Sequence, residues 1–211
     1  MNIVLDLDGT LIDSKLRLYR LFQSLAASSS LSYEEYWALK KNKTSNATIL
    51  SGRLGYSEEQ IADFVVRWMS LIESPSFLAL DSNFEGIHAA LGALQRDADL
   101  HVCTARQLRE PVVEQLVSLN LLQFFKQVLV TEHKCTKESL ILANITNLSS
   151  NDWLVGDTGK DIQVGKSLNI KTCAVLSGFL NKEVLRGYGP NLILDSVTKF
   201  VVPADAWPAG S

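Results

Sequence analysis

Cysteine is scarce and poorly spaced for structural work. The chain has 211 residues and three cysteines, Cys103, Cys135 and Cys173, with no CxxC pair among them. An odd, dispersed set builds neither a disulfide framework nor a zinc site, so these read as reduced thiols in or near a core. Long apolar runs are missing too. None reaches the roughly 20 residues that cross a bilayer, and the apolar start "NIVL" meets Asp6 too soon for a secretory leader. Basic charge is not in excess. Twenty Lys and Arg stand against 23 Asp and Glu, a net charge of −3, which argues against nucleic acid or an anionic membrane as partner. No segment repeats. The expectation is a cytoplasmic protein with neither nucleic acid nor a membrane as partner, and the sequence leaves monomer and homodimer open.

What is present is an ordinary globular balance, 46% hydrophobic and 20% charged, enough for one sizeable core or a core with a small insert. Short apolar, β-rich runs recur at 2–7, 100–104, 127–131, 153–157, 171–176 and 191–194. Segments with helical spacing of apolar residues lie between them from residue 85 onward. Strands alternating with helices predict βαβ units and a mostly parallel sheet covered on both faces. Residues 14–82 break the rhythm, with no convincing strand. "SEEQIADFVVRWMSLIES" carries a capping box, Ser57 with Gln60. Its apolar stripe is Ile61, Phe64, Val65, Trp68 and Ile72. "KLRLYRLFQSLAA" and "SYEEYWALKK" read as two more helices. The expected plan is an α/β, Rossmann-like core formed by 1–13 and 83–211, interrupted by an all-helical unit at 14–82. The Pro/Gly/Ala-rich tail from residue 201 reads as loose.

The candidate chemistry sits at strand ends. Asp6 and Asp8, followed by Gly9 and Thr10, close the first strand. In an open parallel sheet, ligands bind just beyond that edge. Two like charges there are a solvated turn or a site for a hard cation such as Mg2+, which takes oxygen ligands. "WLVGDTGKD" places Asp157, with Asp161 a turn later, at another strand end. "LHVCTAR" ends on Thr104, and Lys137 opens a helix after "QVLVTE". Carboxylates, a hydroxyl and an ammonium on one edge suit a divalent metal beside a phosphoryl group. Arg106 either touches substrate or starts the next helix. The run "KKNKTSNAT" (40–48) is either a solvated loop or a source of specificity, with Lys43, Thr44 and Asn46 as contacts.

These motifs in this order resemble the haloacid dehalogenase superfamily, in the branch similar to phosphoglycolate phosphatase. DxDGT matches Asp6–Thr10, the strand-end Thr matches Thr104, and GDxxxD matches Gly156–Asp161. The motif lysine matches Lys137, with Lys134 as a rival; the proline that often follows it in the family is absent after both. The resemblance implies a Mg2+-dependent phosphatase acting on a small organic phosphate monoester. Asp6 would be the nucleophile, forming an aspartyl-phosphate, and Asp8 the general acid and base. Metal ligands would be Asp6, the backbone carbonyl of Asp8, and Asp157, with Asp161 in the outer shell. Thr104 and the lysine would hold phosphoryl oxygens, and the helical insert would be a cap hinged near 13–15 and 80–84. The resemblance leaves Mg2+ and Mn2+ unresolved. It also admits a sugar phosphomutase with the same nucleophile, or a non-catalytic binding or regulatory protein of the same fold. A C–P bond hydrolase would need a reactive lysine from Lys40, Lys41 or Lys43.

Overall fold

The computed structural model describes residues 1–202. Eight strands appear in chain order: β1 Asn2–Leu5, β2 Ile12–Asp13, β3 Ser82–Asn83, β4 Asp99–Thr104, β5 Gln127–Val130, β6 Trp153–Gly156, β7 Lys171–Val175 and β8 Leu192–Leu194. Five helices lie between β2 and β3: α1 Lys15–Leu25, α2 Tyr33–Lys41, α3 Asn46–Leu54, α4 Glu58–Leu71 and α5 Pro75–Leu78. Five more follow: α6 Ile87–Leu94, α7 Arg109–Ser118, α8 Lys137–Asn144, α9 Gly159–Ser167 and α10 Lys182–Arg186.

Six strands form one sheet in the order β5-β4-β1-β6-β7-β8, and every neighbouring pair is parallel. The chain runs outward from β1 through β4 to β5, then returns to β6 on the other side. The direction of winding therefore reverses at β1, which puts the crevice of such a sheet at the carboxyl end of β1. The α/β architecture follows from the near-continuous apolar strands. Val4, Val102 and Val155 are fully buried on the central three strands, as strands covered on both faces require.

The helices α1 to α4 enclose a separate apolar cluster that includes Phe22, Tyr36, Trp37, Leu50 and Phe64. Side chains order the helix starts here. Ser32 with Glu35 and Ser57 with Gln60 each form a two-way capping box, which satisfies two otherwise orphaned donors at each terminus. The strands β2 and β3 pair antiparallel, Ile12 with Asn83 and Asp13 with Ser82, so both chain crossings to the helical unit run through one short ribbon.

Several expectations need correcting. The first strand ends at Leu5, because the chain turns from Leu7 onward and the Ile12 amide bonds back to the Leu7 carbonyl at 3.1 Å. Residues 46–54, read as loop at their start, form α3, capped by Ser45 through the Thr48 amide. Val65 points outward, 49% exposed, since the buried face of α4 centres on Phe64. Cys103 and Cys173 are buried but Cys135 is exposed, and all three are free. The tail beyond residue 202 lies outside the described residues. Among the described residues no helix is long and apolar enough to cross a membrane.

Candidate active site

The turn after β1 brings the two aspartates to the sheet edge and then sends them apart. Asp6 keeps a sheet bond, its amide donating to the Val155 carbonyl at 2.9 Å. Gly9 then takes φ +79, and a Cβ there would stand 2.5 Å from Asp157 Oδ2. A left-handed backbone and a close approach both demand glycine at this position.

Three carboxylates meet at the edge. Ligand oxygens of Asp6, Asp157 and Asp161 lie within 4.8 Å of one another, and all three residues are buried. Lys137, at the first turn of α8, donates to Asp6 Oδ1 at 2.5 Å and to Asp161 Oδ1 at 2.6 Å. Asp161 accepts from the Thr158 hydroxyl at 2.7 Å, which anchors it at the start of α9. Asp157 accepts from the Phe179 amide at 2.9 Å through Oδ2, while its Oδ1 is buried without a partner.

One ammonium cannot neutralise three buried carboxylates. Burial raises the Asp6 carboxyl first; Lys137 opposes this, Asp161 adds to it, and the result is about 7. Asp157 is pushed well above the carboxylate range by burial and then by Asp6 and Asp161. Lys137 moves the other way. Burial would lower it, but Asp161 and Asp6 override that and raise it. Crowded, dry oxygens, one of them orphaned, are the donor set that a hard divalent cation takes. The residues present fit a hard divalent cation such as Mg2+, which oxygens of Asp6, Asp157 and Asp161 could hold.

Asp8 lies outside this cluster, and its side chain meets two arginines. Arg106 grips it in a fork, Nε to Oδ2 at 2.6 Å and Nη2 to Oδ1 at 2.8 Å. Arg17, from α1, donates to Asp8 Oδ1 as well. Asp81, just before β3, completes the group, 3.1 Å from Arg17 Nε and 3.4 Å from Arg106 Nη2. Burial would raise the Asp8 carboxyl, but the Arg106 and Arg17 guanidiniums override it and hold it well below the usual range. Burial pushes Asp81 up to about 6 against Arg17, with Asp8 adding to the rise.

A cavity of about 720 Å3 is lined by residues of both groups, Asp6, Asp157, Lys137 and Thr104 together with Asp8, Arg17 and Arg106. Met69, Ile72 and Phe179 supply its apolar side. Lys134 stays away, with a side chain 76% exposed beside Glu132. The expected specificity residues do not reach this cavity. Lys43, Thr44 and Asn46 line a smaller one of about 290 Å3 together with Lys40 and Trp37. Lys43 is bonded to the Tyr188 hydroxyl at 2.7 Å, and Asn46 accepts from Tyr36 at 3.0 Å. Both cavities share Leu18, Thr158 and Phe179 in their walls.

Arg17 and Asp81 escaped the sequence reading, because an arginine within an amphipathic helix and an aspartate between segments look like solvated charges. The one available signal was Arg17 itself, which falls on the same helical face as Leu21.

Residues 3–175 match the family described as haloacid dehalogenase-like hydrolase. A search of curated proteins finds no match. Among solved structures, a haloacid dehalogenase-like family hydrolase from Streptococcus pneumoniae is 20% identical with a TM-score of 0.74, over 93% of this chain and 94% of that one. A predicted phosphoglycolate phosphatase from Haemophilus somnus is 16% identical with a TM-score of 0.71, over the same shares of the two chains, 93% and 94%. A HAD-hydrolase from Bacillus subtilis, described as bound to magnesium, is 16% identical with a TM-score of 0.61, again over 93% and 94%. The match to the family runs from β1 through β7, and the parallel sheet has the strand order in which its motif residues share one edge; this chain belongs to the haloacid dehalogenase-like hydrolases.

Proposed function

We propose that the protein is a Mg2+-dependent phosphatase that hydrolyses a small organic phosphate monoester through a phosphorylated Asp6. The observation that carries this reading is the buried trio Asp6, Asp157 and Asp161 with Lys137 between two of its members. Asp6 and Asp157 would hold the metal with the backbone carbonyl of Asp8, and Asp161 would orient the site from behind Lys137. Bound Mg2+ would favour the ionised form of Asp6 and take up charge on the phosphoryl oxygens. The magnesium-bound Bacillus subtilis structure supports this choice of ion by analogy of fold.

In the first step an Asp6 carboxylate oxygen attacks phosphorus and the bond from phosphorus to the ester oxygen breaks; Asp8, ionised while Arg106 and Arg17 hold it, would have to leave them and take up a proton from solvent before giving it to that oxygen. In the second, Asp8 takes a proton from water, the water oxygen attacks phosphorus, and Asp6 and inorganic phosphate are released. Lys137 and the Thr104 hydroxyl would bind the phosphoryl oxygens as charge builds on them. Residues 14–82 would serve as the cap, with α1 and α4 over the cavity and the β2–β3 ribbon as hinge, closing the site to water. Asp8 is suited to an oxygen leaving group, since halide departure needs no proton. A small phosphorylated metabolite of the cytoplasm is the substrate class this supports.

The test is phosphate release from p-nitrophenyl phosphate and a panel of small esters, with Mg2+ or EDTA, beside Asp6→Asn. Turnover that needs metal and vanishes in Asp6→Asn is the expected result. A folded, Mg2+-binding protein with no turnover on any ester would refute it.

A further inference from the structure

The smaller cavity, of about 290 Å3, lies between the helical unit and the sheet, walled by Tyr36, Trp37 and Lys40 on one side and by Thr158 and Phe179 on the other. We infer that it is the subsite for the far end of the leaving group, with Lys40 and Trp37 as specificity-determining residues. The substrate is then a phosphate monoester whose leaving group ends, beyond a spacer, in a flat ring edged with oxygen acceptors, of the kind a uridine monophosphate carries. This rests on the phosphatase reading above and narrows its substrate class.

Two residues tie this cavity to the acidic trio. Thr158 directly follows Asp157 in the chain and lines both cavities. Phe179 lines both as well. Its amide donates to Asp157 Oδ2 at 2.9 Å, and its ring stacks on that of Trp37 with 5.4 Å between centroids. A leaving group that starts from a phosphoryl group at Lys137 and Thr104 must carry a spacer past these residues to enter the second cavity.

The chemistry of that cavity is one-sided. Tyr36 and Lys40 stand one turn apart on α2, which sets the Lys40 ammonium 5.9 Å from the centroid of the Tyr36 ring. Lys40 donates to Asn46 Oδ1 at 3.2 Å, an oxygen that already accepts from the Tyr36 hydroxyl at 3.0 Å. Among the described residues that line the cavity there is no carboxylate. Burial lowers the Lys40 ammonium to about 8, because no acid beside it offsets the lost water. Trp37 is only 4% exposed, and its Nε1–H is buried without an acceptor. Lys43 is committed to the Tyr188 hydroxyl, so Lys40 and Trp37 are the donors left to meet a ligand. Buried donors without acceptors cost free energy until oxygens reach them.

Rings set the shape. Tyr36, Trp37, Trp68 and Phe179 all line the cavity, and Trp68 and Phe179 are only half-buried, so aromatic surface stays uncovered. Flat ligand rings stack on such surfaces, and fixed donors then read the ring edge. A ring with oxygens on its edge meets both demands at once. An alkyl end group supplies no oxygens, and a sugar supplies no flat face. Sites that hydrogen-bond a particular polar group reject analogues lacking it far more strongly than apolar pockets reject a missing methylene.

The experiment compares kcat/KM in Mg2+ for uridine 5′-monophosphate, ribose 5-phosphate (the same ester without the ring) and glucose 6-phosphate, in the wild type and in Lys40→Met. The expected wild-type preference for the uridine ester over ribose 5-phosphate is about 30-fold or more. It falls at least tenfold in Lys40→Met, which keeps the apolar stem and loses the donors, and falls less in Lys40→Arg. A binding arm needs no turnover: by calorimetry, wild-type protein should bind uridine at least tenfold more tightly than ribose, and Lys40→Met should weaken uridine binding at least tenfold. Equal kcat/KM for the uridine ester and ribose 5-phosphate, or a preference for glucose 6-phosphate, would overturn the inference and leave the phosphatase reading intact. Uridine bound no more tightly than ribose would overturn it even if Lys40→Met fails to fold. So would uridine binding that Lys40→Met leaves unchanged. No hydrolysis of any ester, with uridine still bound through Lys40, would sink the phosphatase reading and keep the subsite.

Discussion

The stability of the metal-free protein should fall as pH rises, and Mg2+ should cancel that fall. The cause is the carboxylate trio. Asp6 is raised from 3.8 to about 7 by burial, against Lys137 and with help from Asp161. The folded protein thus holds this proton more tightly than the unfolded chain does. The associated stability is whole below about pH 4 and is lost as pH climbs to about 7. At about 1.4 kcal/mol per pH unit, the displacement amounts to about 4 kcal/mol. Asp157 pushes in the same direction. Asp8 acts oppositely, but its depressed carboxyl costs stability only below about pH 4. Asp81, raised to about 6, adds a decline over the lower part of the window that Mg2+ should not remove. The difference between EDTA and Mg2+ therefore isolates the trio. For a domain of this size 1 kcal/mol moves Tm by roughly 2–4 °C. Thermal unfolding at pH 5, 6, 7 and 8 should show a Mg2+-dependent gain that is small at pH 5 and reaches about 8 °C or more at pH 8. Asp6→Asn in EDTA at pH 8 should melt above the metal-free wild type. A Mg2+ gain that is absent, or equal at every pH, would refute the electrostatic reasoning, whatever the enzyme assays report.

Two further perturbations probe the turn and the helical unit. Gly9→Ala places a methyl 2.5 Å from Asp157 Oδ2 on a left-handed backbone; we expect a cost of about 1–3 kcal/mol or more in urea unfolding and loss of the Mg2+-induced Tm gain, and retention of both stability and the gain would show that the turn tolerates a side chain. Phe64→Ala removes a ring stacked on Trp68 at 5.6 Å and edge-on to Phe22 at 6.1 Å; it should cost roughly 3–5 kcal/mol in urea, and a loss below about 1 kcal/mol would mean that α1 and α4 do not depend on this contact.

The alternation of apolar strands with helices made the parallel sheet legible in the sequence, because period and length are local properties. The strand-end motifs were legible for a related reason: a charge that closes an apolar run has to lie at the sheet's edge. Asp6, Asp8 and Asp157 could be named that way, and Thr104, Asp161 and Lys137, with Lys134 as its rival, from their order among the motifs. Which of them meet could not. Asp6 and Asp8 are two residues apart, yet one carboxylate joins a crowded trio and the other meets two guanidiniums. Lys137 and Lys134 are three apart, and only the register of α8 after β5 puts Lys137 inside. The pairing of Arg17 with Arg106 and Asp81 joins a helix of the insert, the end of β4 and the return strand of the ribbon. No spacing encodes such a meeting, since it exists only once the helical unit is folded against the sheet. Local chemistry in the chain determined the sheet, the edge and the acidic residues; packing across long separations decided the partner of each charge, because burial turns every unpaired charge into a constraint that the whole structure must satisfy.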